Sequence, residues 1–234
     1  MEKPDAGAVS SLMFMGTTTD TKPGASLSSV TLEVADVEEA RRFYSAFGVD
    51  AYIRLRACEE ADGAGFRGFT LALTVSGPAT VDGFVATAVA AGATVLKPAT
   101  KSLWGYGGVV RAPDGAIWKI ATSARKDTGH VTRTVDEVVL LLGVQDVKAT
   151  RQFYVDRGLT VGKSFGGKYA EFLPADSDPV KLALYKRRAL AKDLGVPDDT
   201  TTFHGIVLGS ANGAFTDPDG FTWEPTAPAD AARS

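Results

Sequence analysis

A short grammar written twice constrains this chain more than any other feature. Pro113-Asp114-Gly115 is followed three residues later by Trp118, and Pro218-Asp219-Gly220 three residues later by Trp223. Proline presets φ at the first corner of a turn, and glycine takes the φ > 0 that a side chain resists, so each triplet predicts a tight turn. The flanking Val109-Val110-Arg111 and Ile117-Trp118-Lys119-Ile120 are rich in β-branched and aromatic residues, as hairpin arms are. Other pieces repeat in the same order. Asp36-Val37 with Arg41-Arg42-Phe43-Tyr44 returns as Asp146-Val147 with Arg151-Gln152-Phe153-Tyr154, and Phe66-Arg67-Gly68 returns as Phe203-His204-Gly205. The offset is 110 residues at the Asp-Val pair, 137 at Phe-x-Gly and 105 at the turns. The chain therefore reads as a duplication whose second copy carries about 27 extra residues before Phe203 and lacks about 32 after it.

The first copy reads β-α-β and then β-α-β-β-β. Ser29–Val34 alternates apolar and polar residues, the signature of a strand with one buried face. Asp36 is placed to cap the next helix, Glu39 to complete a capping box and Gly48 to stop it. Val37, Ala40, Tyr44 and Phe47 line one helical face. Tyr52–Arg56 and Phe69–Val75 continue as strands, Val81–Ala91 as a helix, and Val95-Leu96 with the hairpin as three more strands. In the second copy the surplus holds strands at Tyr169–Leu173 and Lys181–Tyr185 and a short helix around Arg188–Leu194, while the counterpart of the Val81–Ala91 helix is missing. The boundaries that follow are a flexible lead-in at 1–26, a first domain at 27–123, a polar linker at 124–134, a second domain at 135–226 and a tail at 227–234.

Composition narrows the partners. With 44% hydrophobic and 23% charged residues the chain reads as an ordinary globular protein, and a net charge of -3 gives no electrostatic reason to expect nucleic acid or an anionic membrane. Leu12-Met13-Phe14-Met15 is too short to cross a bilayer. The single cysteine, Cys58, excludes an internal disulfide framework and fits a reducing cytoplasm. The expectation is a cytoplasmic monomer or homodimer with a small-molecule partner.

The strand ending Val34-Ala35-Asp36 before Phe43-Tyr44, its echo at Val144-Gln145-Asp146 and Phe153-Tyr154, and Trp104-Gly105-Tyr106 ahead of the first turn form one ordered set of motifs. Over residues 27–226 this set resembles the vicinal oxygen chelate superfamily, the glyoxalase, bleomycin-resistance and extradiol dioxygenase proteins. The resemblance implies an α+β fold of tandem, paired βαβββ modules, with curved mixed sheets closing around ligand cups and helices on one face of each sheet. It also implies where a divalent metal would be held, through His, Gln or Glu on the first and last strands of paired modules. Carried over residue by residue, those places fall on Ser29, Gly68, Lys119, Val139, Ala183, Gly205 and Glu224. Of these only Glu224 offers a carboxylate, whereas a catalytic ion needs about three protein ligands. His204 stands one residue off its place and His130 lies in the linker. The expectation is no metal and no cofactor.

Aromatic and charged residues remain to line a cup. The candidate ligand contacts are Trp104, Tyr106, Arg111, Tyr52, Arg54, Tyr185 and His204. The principal pocket is expected around Trp104, Tyr106 and Arg111 of the first copy, with Tyr185, His204 and Glu224 at its edge. Two functions compete. One is a metal-independent protein that binds a small aromatic molecule in a sequestration or resistance role. The other is an enzyme (isomerase, cyclase, lyase or dioxygenase) using Glu224 or Glu171 as general base, or an unusual metal site, since a carboxylate desolvated by a cup suits proton abstraction.

Overall fold

The repeated Asp-Val pair folds as two copies of one strand–cap–helix unit. In the computed structural model, which describes residues 25–60, 65–103, 105–127, 129, 131–198 and 203–226, Asp36 accepts from the backbone N–H groups of Glu38 and Glu39. Asp146 does the same for Lys148 and Ala149. Each carboxylate satisfies two N–H groups that have no partner within the helix.

The first copy runs β1 (Ser29–Val34), α1 (Val37–Phe47), β2 (Arg54–Ala57), β3 (Phe69–Thr74), α2 (Pro78–Ala90), β4 (Thr94–Ser102), β5 (Gly105–Arg111) and β6 (Ile117–Thr122). The second runs β7 (Glu137–Val144), α3 (Val147–Val155), β8 (Val161–Phe165), β9 (Tyr169–Phe172), β10 (Lys181–Lys186), α4 (Arg187–Leu194), β11 (Ile206–Ser210), β12 (Phe215–Thr216) and β13 (Thr222–Pro225). Among the described residues no helix is long and apolar enough to cross a membrane.

The strands do not sort by copy. An eight-stranded sheet has the order β4-β5-β6-β3-β7-β10-β9-β8, and a five-stranded sheet the order β12-β13-β11-β1-β2. Two antiparallel ladders join the copies: β3 with β7, from Phe69↔Leu142 to Thr74↔Glu137, and β1 with β11, from Ser29↔Gly209 to Leu32↔Ile206. The shifting sequence offset explains the unequal sheets. Both complete modules fall in the larger one. In the smaller, the first copy supplies only β1 and β2, and β11 runs to β12 without an intervening helix.

One hydrophobic core serves both copies, with Trp118, Tyr44, Phe47 and Leu71 from the first packed in the same cluster as Trp223, Tyr154, Phe172 and Leu140 from the second. Two crossed ties hold it. Tyr44 Oη donates to Asp114 Oδ2 at 2.6 Å, joining the helix that follows β1 to the β5–β6 turn of the other sheet. Tyr154 Oη donates to Asp217 Oδ2 at 2.6 Å in the reverse sense, from the eight-stranded side to the five-stranded side. The fold thus matches the expected α+β architecture with curved mixed sheets, with one difference in helix placement. α2 and α3 cover the core face of the large sheet, whereas α4 lies on its opposite face against Val109, Ile117, Leu141 and Tyr185.

Candidate functional site

The face of the eight-stranded sheet turned away from α2 and α3 follows from alternation. Trp118 and Ile120 enter the core, so Lys119 and Ala121 point the other way; Leu71 and Leu73 leave Ala72, Leu140 leaves Val139, and Leu182 and Leu184 leave Lys181 and Ala183. Register lines these up across four strands: Ala72 lies opposite Lys119 on one side and Val139 on the other, and Val139 lies opposite Lys181. The floor of this cup is small and apolar, with an ammonium group at each side.

α4 closes one end. Its Leu190, Ala191 and Leu194 are buried with Phe66, Val109 and Ile117, and its C-terminal turn carries Asp193 to the cup wall. Lys119 Nζ donates to Asp193 Oδ2 at 2.5 Å, and Lys97 Nζ donates to the Asp193 backbone oxygen at 2.7 Å. These groups border a cavity of about 260 Å³ that is also lined by Gly105, Gly107 and Val109. Of the two cations there, Lys119 is paired with the carboxylate and Lys97 meets only a backbone oxygen. At the other wall Glu171, with its side chain only 14% exposed, accepts from Tyr169 Oη at 2.8 Å and has Lys181 Nζ and Lys163 Nζ at 3.9 and 4.0 Å. Burial, and then the bond to Glu171, push the Tyr169 hydroxyl well above the usual tyrosine range, so it acts as a fixed donor. Lys181 is paired with Glu137, whose hydrogen bond raises the Lys181 pKa further.

A divalent ion does not fit this donor set. The places that the resemblance assigns to metal ligands are filled by Gly68, Lys119, Val139 and Ala183 in this cup, and a cation in place of a donor repels a second cation. Among the described residues no group of three or more His, Cys, Asp or Glu is placed to hold a metal.

The sequence candidates are distributed over both sheets. Tyr185 and Glu171 stand on the cup face, Tyr185 beneath α4. Tyr106 pairs with Thr122 and points to the helix side, where its hydroxyl donates to Asp82 Oδ1 of α2 at 2.8 Å. Trp104 and His130 lie outside the described residues. Arg111 ends β5, and its Nε is buried without a hydrogen-bond partner. Tyr52 packs on the core before β2, and Arg54 is exposed on β2.

His204 and Glu224 belong to the five-stranded side, not to the edge of a first-copy pocket, because the copies interleave instead of each building its own cup. His204 Nδ1 meets the Arg67 backbone oxygen at 2.6 Å, Nε2 meets that of Asp219 at 3.1 Å, and the ring stacks on Phe221 at 4.0 Å. Both nitrogens are occupied, which leaves neither for a ligand. Arg67, its counterpart in the repeat, donates from Nη2 to the Asp114 backbone oxygen at 2.7 Å, so the two residues anchor equivalent turns. Glu224 is bonded by Arg56. Lys97, Glu137, Lys181 and Asp193 had no distinguishing sequence signal; only the pairing of distant strands brings them to one face.

No family model matches the sequence, and no curated protein matches it significantly. Solved structures match in fold. A mutant of glyoxalase I from Zea mays is similar with a TM-score of 0.55 at 12% identity, over 86% of this chain and 93% of that one. A putative dioxygenase from Bacillus subtilis subsp. subtilis str. 168 is similar with a TM-score of 0.52 at 9% identity, over 86% and 84%. At these identities the likeness is one of architecture. The chain therefore has the paired-module fold seen in glyoxalase I.

Proposed function

We propose that this chain binds a small organic anion, with an aromatic or other flat apolar body, in the cup of the eight-stranded sheet and without a metal ion. The observation that carries this reading is the cationic excess at Lys97 and Lys119: Asp193 gives its carboxylate to Lys119 and only its backbone oxygen to Lys97, beside the apolar floor of Ala72 and Val139. A ligand carboxylate at that wall would gain charge-assisted hydrogen bonds, and Ala72, Val139 and Ala183 would receive its apolar part. A sequestering or carrying role in the cytoplasm fits such a site. Titration calorimetry with matched aromatic carboxylates and their neutral amides tests it. Carboxylates should bind more tightly than the amides, and Lys119→Met should weaken the carboxylates about tenfold or more while leaving the amides alone. Equal binding of both series, unchanged by Lys119→Met, would refute the reading.

A second reading rests on Glu171, a mostly buried carboxylate that faces the same cup and accepts from Tyr169. There the bound molecule would lose a C–H proton to Glu171. Solvent deuterium exchange into the bound ligand, abolished by Glu171→Gln with affinity retained, would distinguish an enzyme from a binding protein.

A further inference from the structure

The five-stranded sheet has a concave face of its own. Val30, Leu32 and Val34 of β1 enter the core, so Glu33 points to that face. Arg56 lies opposite Glu33 on β2, and Glu224 on β13 lies opposite Gly209 on β11, beside the buried Trp223. Arg56 Nη2 donates to Glu33 Oε1 at 2.8 Å, while Nη1 donates to Glu224 Oε1 and Oε2 at 2.9 and 3.1 Å. In the order β13-β11-β1-β2 two strands lie between Arg56 and Glu224, so the two side chains reach towards each other over β11 and β1.

We infer that Arg56 is the resident cation of this second cup, its guanidinium holding Glu33 and Glu224 together where related cups would hold a divalent ion. Glu224 is the one carried-over metal place that keeps a carboxylate, and both of its oxygens are engaged by the guanidinium. A guanidinium is charged at all accessible pH values and meets carboxylates with a rigid fork of donors. The hydrogen bond to Glu224, followed by that to Glu33, raises the Arg56 pKa further. Of the other basic groups near the cup, His204 has its ring nitrogens against the backbone oxygens of Arg67 and Asp219, and Arg67 donates to the backbone oxygen of Asp114. Beside the guanidinium lies a cavity of about 310 Å³ bordered by Glu33, His204, Val207, Gly220 and Thr222. Without the arginine, Glu33 at the edge of that space and Glu224 beyond it would lose the guanidinium that joins them.

The test uses the full chain and Mn²⁺, read by the loss of the free-ion paramagnetic resonance signal. Wild type should leave the signal unchanged. Arg56→Ala should bind Mn²⁺ about tenfold or more tightly than wild type, and adding Glu224→Gln should cancel the gain. Arg56→Met keeps the apolar stem and serves the same test should the alanine variant fail to fold. Wild-type binding that is lost on Glu224→Gln alone would overturn the inference, as would the absence of any gain in both Arg56 variants.

Discussion

Tyr44 and Tyr154 occupy equivalent places in the repeat, are both fully buried, and both spend their hydroxyl on a carboxylate of the opposite sheet. Tyr154 also accepts from Trp223 Nε1 at 3.3 Å, so its loss would orphan a donor as well as an acceptor. Tyr154→Phe should therefore cost roughly 1.5–3 kcal/mol in urea unfolding, and Tyr44→Phe somewhat less. Burial, then the neighbouring carboxylate, raises both hydroxyl pKa values well above their ordinary position. The sign of the pH effect follows. In the unfolded chain these groups ionise near about pH 10 while the native state keeps their protons, so stability is retained below that pH and falls as pH rises beyond it. Unfolding free energies measured between neutral and strongly alkaline pH should show this decline, and the double Phe variant should flatten it. At this scale the sequence was partly legible. The Asp caps and the Pro-Asp-Gly turns are local chemistry and could be read directly. The orientation of Tyr106 depends on strand register, which no neighbouring residue fixes.

α4 is the element that sets the size and charge of the cup. Its apolar face could be anticipated from spacing, and the helix was expected near Arg188–Leu194. Its position on the cup face, and the delivery of Asp193 to Lys119 and Lys97, depends on contacts with β5, β6 and β7 that lie far away in sequence. β8 was harder to read still. Val161–Phe165 is largely exposed on both faces at the sheet edge, so it lacks the apolar alternation that marks β1. Two predictions belong to this element. Asp193→Asn removes the acidic group that, among the described residues, lines the cationic wall, and carboxylate ligands should bind more tightly to it by calorimetry. Weaker binding would mean that Asp193 positions the lysines more than it neutralises them. Leu194→Ala removes a fully buried side chain and should cost about 2–5 kcal/mol, with ligand affinity falling because the closed end of the cup loosens.

For the whole molecule, duplication was legible and the way the copies combine was not. Repeated motifs report ancestry, whereas strand partners are chosen by distant contacts, and the sequence carries no mark that β3, paired on one side with β6 of its own copy, takes β7 of the other copy on its second side. The consequence is a molecule that cannot be divided at its linker without opening both sheets. A fragment ending near residue 123 would present β1 and β3 as unpaired edges, each with an apolar face that the other copy buries in the intact chain. Exposed apolar edges of that kind recruit other chains. Each half expressed alone should therefore self-associate or aggregate, and mixing or co-expressing them should give a one-to-one complex with the circular dichroism and melting behaviour of the intact chain. The cup should behave likewise, because Lys119 and Ala72 come from one half and Val139, Lys181 and Asp193 from the other. Light scattering after size exclusion, with calorimetry on the same samples, measures both. Two monomeric halves, each as stable as the whole and one of them binding ligand alone, would show that the shared sheets are incidental to folding and to the site.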